Sequence, residues 1–264
     1  MTIYFLGGGN MAAAIIGGLK KQQPQADVFA AERGAERRAW LEQQFGIKSG
    51  ETLPALTADD ILVLAVKPQD MQAALSAVKT NGALVLSVAA GLAVDTLSGW
   101  LNGSRRIVRV MPNTPAAVGL GVAGMFAAAE VSDEDRRRAD EIMAASGQTV
   151  WLSDEAQMHA ITGISGSGPA YVFYLLGALQ NAARAQGFND EDARRLSLAT
   201  FQGAVELAAQ SGGDFAQLQQ NVTSKGGTTH EAIETFKRLN VAEAIGEGVA
   251  ACVARSKEMA EQFK

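Results

Sequence analysis

The chain has 264 residues, of which 47% are hydrophobic and 19% charged, and this composition is typical of a globular protein of two domains rather than of a disordered segment. Its net charge of -5 argues against a nucleic acid as partner, because counterion release needs a basic surface. A single cysteine, Cys252, excludes an internal disulfide, and two separated histidines, His159 and His230, argue against a His/Cys metal site, so no metal is predicted.

We expect neither a signal peptide nor a membrane span. Met1 runs directly into the apolar stretch Ile3 to Leu6, without a basic segment or a small-residue cleavage pattern. The longest apolar run, Ala170 to Leu179, reaches only half of the roughly 20 residues that a span requires. We therefore expect this run to form a buried helix, and the single thiol favours a cytoplasmic protein with no membrane partner.

From Thr2 to Leu152, short apolar runs alternate with helical patterns. This alternation predicts an α/β fold with a Rossmann-type, doubly wound, mostly parallel sheet. The predicted strands are Ile3 to Leu6, Asp27 to Ala31, Ile61 to Val66, Ala83 to Val88, Ile107 to Val110, Val122 to Ala128 and Thr149 to Leu152. The last helix of this half is predicted from Ser132 as N-cap, acids at Asp133 to Asp135 and Gly147 after its end.

A glycine-rich turn joins the first predicted strand to a helix over Met11 to Leu19. Its sequence, Gly7 to Ala12, fits G-x-G-x-x-A. Gly7 permits the tight turn, Gly9 lets the backbone approach a pyrophosphate, and Ala12 keeps helix and strand close. The helix N-terminus offers free N–H groups to the phosphates. The predicted cofactor contacts here are Leu6, Gly7, Gly8, Gly9, Asn10 and Met11.

Two charged residues with opposite preferences follow the second predicted strand. Glu32 is suited to accept hydrogen bonds from the ribose hydroxyls of NAD, whereas Arg33 is suited to pair with the 2'-phosphate of NADP. A carboxylate beside that phosphate repels it, and Glu32 is equally well explained as a solvated charge at a strand end. We favour NADPH, with NADH accepted, and take Arg33 as a cofactor contact.

Three further strand ends carry unusual loops. In an open parallel sheet, ligands bind at the carboxyl ends of the strands, so these loops are predicted to line the cofactor groove. The predicted contacts are Ala65, Val66, Lys67 and Pro68 after the third strand, Ala89, Ala90 and Gly91 after the fourth, and Asn113 in the segment Met111 to Pro115 after the fifth.

The strand pattern stops after Trp151, and the rest of the chain is predicted to be helical. We place the domain boundary near Ser153, with a dinucleotide-binding domain over 1–153 and an all-helical domain over 154–264. Breaks are predicted at Ser165 to Pro169, Gly187 to Asp190, Gly212 to Asp214 and Ser224 to Gly227. One helix is apolar around nearly its whole circumference, through Tyr171, Val172, Phe173, Leu175, Leu176 and Leu179. Such a helix is either central or part of an oligomer interface, and we favour a homodimer.

Two segments of the helical half are rich in small polar residues. The first, Ile164 to Tyr171, is a small-residue loop followed by proline at a helix start. In the second, Thr223 to Glu231, Thr228 and Glu231 have the spacing of a capping box. Capping does not explain the two glycines, Gly226 and Gly227, which would let backbone N–H groups converge on an anion. This turn is therefore a candidate site for a small carboxylate.

Six of these segments, in this order, resemble pyrroline-5-carboxylate reductases along essentially the whole chain. They are Gly7 to Ala12, Ala65 to Gln69, Ala89 to Gly91, Met111 to Pro115, Ser165 to Tyr171 and Ser224 to Thr229. The resemblance implies reduction of the ring imine of Δ1-pyrroline-5-carboxylate to L-proline by NAD(P)H, the last step of proline biosynthesis. It also implies a dimer of interwoven C-terminal helices, sometimes assembled further.

The resemblance also implies roles for single residues. Thr229 would be the catalytic residue, with its hydroxyl hydrogen-bonded to the ring nitrogen. The substrate-binding residues would be Ser224, Gly227, Thr228 and Thr229, together with Asn221 and Glu155. Glu155 is equally well explained as an acid in the first turn of a helix. Two features depart from the family pattern: Lys225 stands where the family usually has proline, and Ser211 to Gln220 lacks its acidic, proline-containing stretch.

An iminium carbon is already electrophilic, so the main task of such an enzyme is to hold it about 3 to 3.5 Å from the nicotinamide C4 and to exclude water. We expect no nucleophile and no metal, with Thr229 as proton donor or relay. One alternative is a β-hydroxyacid dehydrogenase-like oxidoreductase, which would need a helix lysine; the helical half offers only Lys225, Lys237, Lys257 and Lys264, none placed convincingly. Another is a non-catalytic redox sensor that binds dinucleotide.

Overall fold

Eight strands make up one sheet in the part of the chain, residues 1–263, that the computed structural model describes. They are β1 (Ile3–Leu6), β2 (Val28–Ala31), β3 (Lys48–Gly50), β4 (Ile61–Leu64), β5 (Leu84–Ser87), β6 (Ile107–Met111), β7 (Gly121–Ala127) and β8 (Gly147–Trp151). Their order is β3-β2-β1-β4-β5-β6-β7-β8, and every neighbouring pair is parallel except β6 and β7. The predicted Rossmann-type sheet is confirmed.

The helices are α1 (Asn10–Gln22), α2 (Ala35–Phe45), α3 (Pro68–Leu75), α4 (Val94–Trp100), α5 (Asp133–Ala144), α6 (Gln157–Ile161), α7 (Gly168–Ala185), α8 (Asp190–Ser211), α9 (Phe215–Asn221), α10 (Thr228–Arg238) and α11 (Val241–Glu261). A 3-10 turn covers Thr114–Val118, and a π-helical turn covers Thr162–Gly166. None of these helices, over the residues described, has the length and apolar character needed to cross a membrane.

The core lies around the two central strands, β4 and β5, which are buried at every position. Both are apolar throughout except for the last residue of β5, because helices cover both faces of a parallel sheet. From α1, Ile15, Ile16 and Leu19 are buried in the same core. Burial of each such side chain stabilises the fold by about 1.5–3 kcal/mol, which explains why these apolar runs predict the strands.

All seven predicted strands are present, and one strand was missed. The missed strand, β3, has only three residues, Lys48–Gly50, and pairs with β2 at the edge of the sheet. A short edge strand without an apolar alternation leaves no pattern to detect. The predicted N-cap of α5 is confirmed, since the Ser132 hydroxyl accepts a hydrogen bond from the Asp135 N–H at 3.1 Å.

The chain divides into two compact units, one made of residues 1–167 together with the chain from Cys252 onward, and the other of Gly168–Ala251. α6 belongs with the sheet: a Cβ atom on Gly124 of β7 would lie 2.6 Å from the Ile161 side chain. The boundary predicted near Ser153 follows the end of the strand pattern at Trp151 and stays a prediction.

The second unit is a layer of helices with little interior. Among its described residues only Ala193 and Ser197, both on α8, are buried. The apolar run in α7 is helical, as predicted, but the expectation that it is buried is wrong for the single chain. Phe173 is 66% exposed and Tyr174 is 79% exposed. α7 packs along α8, and the rest of its apolar surface is left uncovered within this unit.

Three of the four predicted helix breaks are confirmed, at Gly187 to Asp190, Gly212 to Asp214 and Ser224 to Gly227. The fourth predicted break, at Ser165 to Pro169, is wrong because the chain stays helical there. Ser165 lies in the π-helical turn, and α7 begins two residues after that turn ends. A further break, between α10 and α11, was missed. It is made by Asn240 in a left-handed conformation, with φ +53°, which asparagine adopts more readily than most residues.

Candidate functional site

The turn between β1 and α1 has the backbone of a phosphate-binding loop. Gly7 has φ +97°, and a Cβ atom on it would lie 2.9 Å from the Ala65 carbonyl oxygen, so no other residue fits without strain. Gly9 is the N-cap of α1, and space for at least 4 Å around its Cβ position is open. No side chain caps the helix. The first N–H groups of α1, at Asn10 and Met11, are therefore available to an anion.

Glu32 and Arg37 hold the middle of this turn from the side. The Gly8 N–H donates to Glu32 Oε2 at 2.9 Å, and the Gly34 N–H donates to Glu32 Oε1 at 2.9 Å. Arg37 Nε donates to the Gly8 carbonyl oxygen at 2.6 Å. Burial raises the pKa of Glu32, but the bonds from Gly34 and Gly8 outweigh it and hold that pKa below its usual value. Glu32 thus braces the turn, whereas Arg33 is exposed.

The loops after β4 and β5 begin at the same edge of the sheet as the glycine turn, because β1, β4 and β5 are parallel neighbours. The turn touches the first of these loops directly, at Ala65 and Val66. Lys67 is the N-cap of α3 and Pro68 its first residue, as suits proline. In the second loop, Gly91 has φ +78°. The structure therefore brings these predicted cofactor residues together at one edge.

Asn113 has both polar side-chain atoms engaged. Its Oδ1 accepts the Val122 N–H at 2.9 Å, and its Nδ2 donates to the Ser165 carbonyl oxygen at 3.0 Å. The side chain is buried, at 7% exposure, and joins β7 to the π-helical turn. Its predicted cofactor contact stays a prediction.

Glu155 lies just before α6 and forms an ion pair with a buried arginine, while its own side chain is 31% exposed. Its Oε1 accepts from Arg109 Nη1 at 2.7 Å and from the Val94 N–H at 2.8 Å. Glu155 precedes Ala156, the N-cap of α6. The interpretation of Glu155 as an acid in the first turn of a helix is therefore wrong. Arg109 is not among the residues predicted from the sequence. The available signal was an arginine inside the apolar run Ile107 to Val110, because a buried cation needs a partner.

The polar turn of the second unit lies between α9 and α10. Gly226 has φ +72°, and the Gly227 N–H donates to the Ser224 carbonyl oxygen at 3.0 Å. Gly227 is the N-cap of α10, which has no side-chain cap, and Thr228 is the first helical residue. The predicted capping box between Thr228 and Glu231 is therefore wrong, because Thr228 lies one position inside the helix.

This turn gathers the residues that the resemblance assigns to the substrate. Ser224, Thr228 and Thr229 expose their hydroxyl-bearing side chains beside the uncapped N–H groups of α10. Asn221 is the last residue of α9 and accepts a hydrogen bond from Gln217 Nε2 at 2.9 Å. Uncapped N–H groups beside hydroxyl donors are suited to bind a carboxylate. Lys225 is exposed in the same turn.

Two family models match this chain, one in each half. Residues 155–259 match the family model described as pyrroline-5-carboxylate reductase dimerisation, and residues 2–91 match the model described as NADP oxidoreductase coenzyme F420-dependent. The chain is 42% identical to the pyrroline-5-carboxylate reductase of Pseudomonas aeruginosa, covering 99% of this chain and 97% of that protein. It is 40% identical to that of Haemophilus influenzae, covering 99% and 98%.

Solved structures give the same result. The chain is similar to a pyrroline-5-carboxylate reductase from Coxiella burnetii with a TM-score of 0.88 and 36% identity, covering 98% of each chain. It is also similar to the Plasmodium falciparum pyrroline carboxylate reductase with NADP bound, with a TM-score of 0.84 and 26% identity, covering 98% of each chain. Relatives this similar along their whole length identify the chain as a member of the pyrroline-5-carboxylate reductase family.

Proposed function

We propose that the chain reduces the C=N bond of Δ1-pyrroline-5-carboxylate to give L-proline, using NADPH and accepting NADH. The observation that carries this proposal is the 42% identity to a pyrroline-5-carboxylate reductase over 99% of the chain. That likeness includes both the open glycine turn after β1 and the uncapped polar turn before α10. The reaction completes proline biosynthesis.

The first unit would hold the cofactor. The open space at Gly9 fits a pyrophosphate, with the N–H groups of Asn10 and Met11 as donors. Arg33 would pair with a 2'-phosphate, in line with the NADP bound to the Plasmodium falciparum relative. When bound, the reduced nicotinamide supplies the hydride. The loops at Lys67 and Gly91 would contact the nicotinamide half.

The polar turn of the second unit would hold the substrate. The N–H groups at the start of α10, with the hydroxyls of Ser224 and Thr228, would bind its carboxylate. Asn221 would contact the same molecule. Thr229 would donate to the ring nitrogen, which receives a proton as the neighbouring carbon receives the hydride. The assignment of Glu155 to the substrate is still a prediction and is taken up below.

We also propose that two chains associate through their C-terminal helices. Support comes from the dimerisation model that matches 155–259 and from the exposed apolar side chains of α7, such as Phe173. Sedimentation should give at least twice the chain mass of 27.6 kDa, and a monomer at micromolar concentration would contradict the dimer.

A cytoplasmic location without a nucleic-acid partner fits the single cysteine and the net charge of -5. Recovery of the protein from the cell envelope would contradict that location.

Two alternatives make different predictions. A β-hydroxyacid dehydrogenase would need a helix lysine at the substrate. Lys225 lies in a turn and Lys237 is paired with Glu234 at 2.8 Å, which leaves Lys257, on α11, as the candidate among the described residues. Lys264 lies outside the described residues. A redox sensor would bind NADPH without turnover.

One assay separates these functions. Loss of reduced-nicotinamide absorbance is followed with Δ1-pyrroline-5-carboxylate, in parallel with NADPH and NADH. Gain of the same absorbance is followed with a β-hydroxyacid series and the oxidised cofactors. The proposal predicts turnover with the imine and a higher kcat/KM with NADPH. Turnover with a β-hydroxyacid alone would support the dehydrogenase, and binding of NADPH without any turnover would support the sensor.

A further inference from the structure

Arg109 is a charged residue inside the core of the first unit. It lies on β6 between Val108 and Val110, and all three residues are buried. Removing a guanidinium group from water is costly unless it is paired. Its partner is Glu155, at 2.7 Å. An ion pair taken partly out of water adds little net stability, because the cost of desolvation offsets the attraction between the charges. The effect of this pair therefore lies in the segments that it joins.

The same carboxylate oxygen of Glu155 also accepts the Val94 N–H, at 2.8 Å, across 61 residues of sequence. Val94 is the first residue of α4, and the N-cap position is Ala93, which has no polar side chain to satisfy that helix. Glu155 therefore satisfies one of the N–H groups at the start of α4 that have no partner within the helix. Through this oxygen, the start of α4 is tied to Arg109 on β6.

The segment fixed in this way is the loop between β5 and α4. It contains Ala89, Ala90 and Gly91, which lie at the edge of the sheet where the cofactor is proposed to bind. A narrow cavity is lined by this loop together with Arg109 and His159. The ring of Phe263 lies 3.7 Å from the Cβ position of Gly91. Phe263 thus lies against the loop at Gly91, and the bond from Val94 to Glu155 fixes the end of the loop at α4.

We infer that Glu155 is a positioning residue, which, paired with Arg109, holds the loop Ala89 to Gly91 in the conformation that receives the nicotinamide half of the cofactor. The inference rests on the proposed function only in taking that loop as part of the cofactor groove. It assigns Glu155 to the cofactor side of the reaction rather than to direct contact with the substrate. The two roles differ in which binding constant depends on Glu155.

The test measures three quantities for each variant: the Kd of NADPH by fluorescence titration, the KM for Δ1-pyrroline-5-carboxylate at saturating NADPH, and the melting temperature. Glu155→Gln keeps one acceptor oxygen but removes the charge that pairs with Arg109. It should raise the Kd of NADPH about tenfold, the scale of a charge-assisted hydrogen bond, and should change the substrate KM less than about twofold. Asp154→Asn, which alters the exposed acid next to Glu155, should change neither constant and is the matched control.

A second variant leaves both charges in place. Val94→Pro removes the N–H that Glu155 accepts and replaces one buried apolar side chain by another of similar size. Proline is well tolerated at the first position of a helix. The backbone of Ala93, with φ -74° and ψ 159°, already has the extended conformation required before proline. This variant should also raise the Kd of NADPH, with the substrate KM unchanged. If Glu155→Gln does not fold, Val94→Pro decides the question.

A rise of the substrate KM in Glu155→Gln with an unchanged Kd of NADPH would overturn the inference, since that is the signature of a substrate contact. A folded Val94→Pro protein with wild-type affinity for NADPH would overturn it as well. Failure of the proposed function would give a different result. A wild-type protein that binds NADPH but does not reduce the imine would contradict the proposed activity, and the effect of Glu155 on the Kd of NADPH could still be measured.

Discussion

The carboxylate of Glu32 accepts a hydrogen bond of 2.9 Å from the backbone N–H of Gly8, so an acidic side chain holds the centre of the glycine turn. Its other oxygen accepts the Gly34 N–H at 2.9 Å. Because these bonds, working against burial, lower the pKa of Glu32, the group is charged at neutral pH. A negative charge at the end of β2 opposes a 2'-phosphate there, even as the same side chain stabilises the turn.

Glu32→Gln should therefore shift cofactor preference toward NADPH. We expect the ratio of the Kd of NADH to that of NADPH to rise about fivefold, which corresponds to relief of a repulsion on the order of 1 kcal/mol. The substitution also weakens the hydrogen bond from the Gly8 N–H, but this change should alter the Kd of both cofactors equally and so cancels in the ratio. Glu36→Gln, on the exposed side of α2, is the control. An unchanged ratio would mean that Glu32 lies too far from the phosphate to matter.

Gly9→Val should abolish NADPH binding and leave the fold intact. The Cβ position of Gly9 is open and its φ of -64° suits any residue, so the branched side chain would occupy the space of the pyrophosphate without internal clashes. The melting temperature should match that of the wild type, while titration with NADPH gives no signal. Gly7→Ala is the contrasting variant, because its φ of +97° should cost about 1–3 kcal/mol of stability. Retained binding in Gly9→Val would contradict the site.

Thr229→Val should lower kcat about 10²-fold, the usual scale for losing a positioned proton donor, with little change in the Kd of NADPH. Thr229 is exposed near the start of α10, so the substitution removes a hydroxyl without opening a cavity. Thr235→Val, in the same helix, serves as the control. A kcat equal to that of the wild type would remove Thr229 from the mechanism.

The ion pair between Arg106 and Asp135 should make stability depend on acid pH. Arg106 Nε and Nη2 donate to the two oxygens of the buried Asp135 at 2.8 and 2.6 Å, and Arg106 lowers the pKa of Asp135 below its ordinary value. A depressed carboxyl pKa contributes stability that is complete above the unfolded value of about 3.9 and is lost as the pH falls toward the folded value.

Urea unfolding of wild type and Arg106→Met at a series of pH values measures this contribution. The difference in the free energy of unfolding should be about 3 kcal/mol at pH 7, the scale for breaking a buried pair, and should shrink once the pH falls below about 4. A difference that stays constant down to pH 2 would show that the pair does not carry the effect.

Much of this fold follows from local patterns. The apolar runs of β4 and β5, the positive φ that Gly7 supplies, and the cap at Ser132 each depend on residues close together in sequence. The strand β3 could not be predicted in this way, because its pairing with β2 is decided by tertiary contact and its own residues carry no apolar alternation.

The candidate sites were predictable to the extent that their residues follow one another in sequence, as in Gly7 to Met11 or Ser224 to Thr229. The bonds that join distant segments were not. Glu155 and Val94 lie 61 residues apart, and nothing in either local sequence indicates that they meet. Arg109 shows the same limit: its burial in an apolar strand calls for a partner, but the sequence does not say which acid provides it.

The most direct test of the central claim follows the hydrogen itself. NADPH carrying deuterium at C4, prepared separately with either face labelled, is oxidised with Δ1-pyrroline-5-carboxylate, and the product is analysed by mass spectrometry. Direct hydride transfer predicts that one of the two labelled cofactors yields proline with a single deuterium on the former imine carbon, and that the other yields unlabelled proline. Oxidation of the cofactor without proline, or proline unlabelled from both, would contradict it.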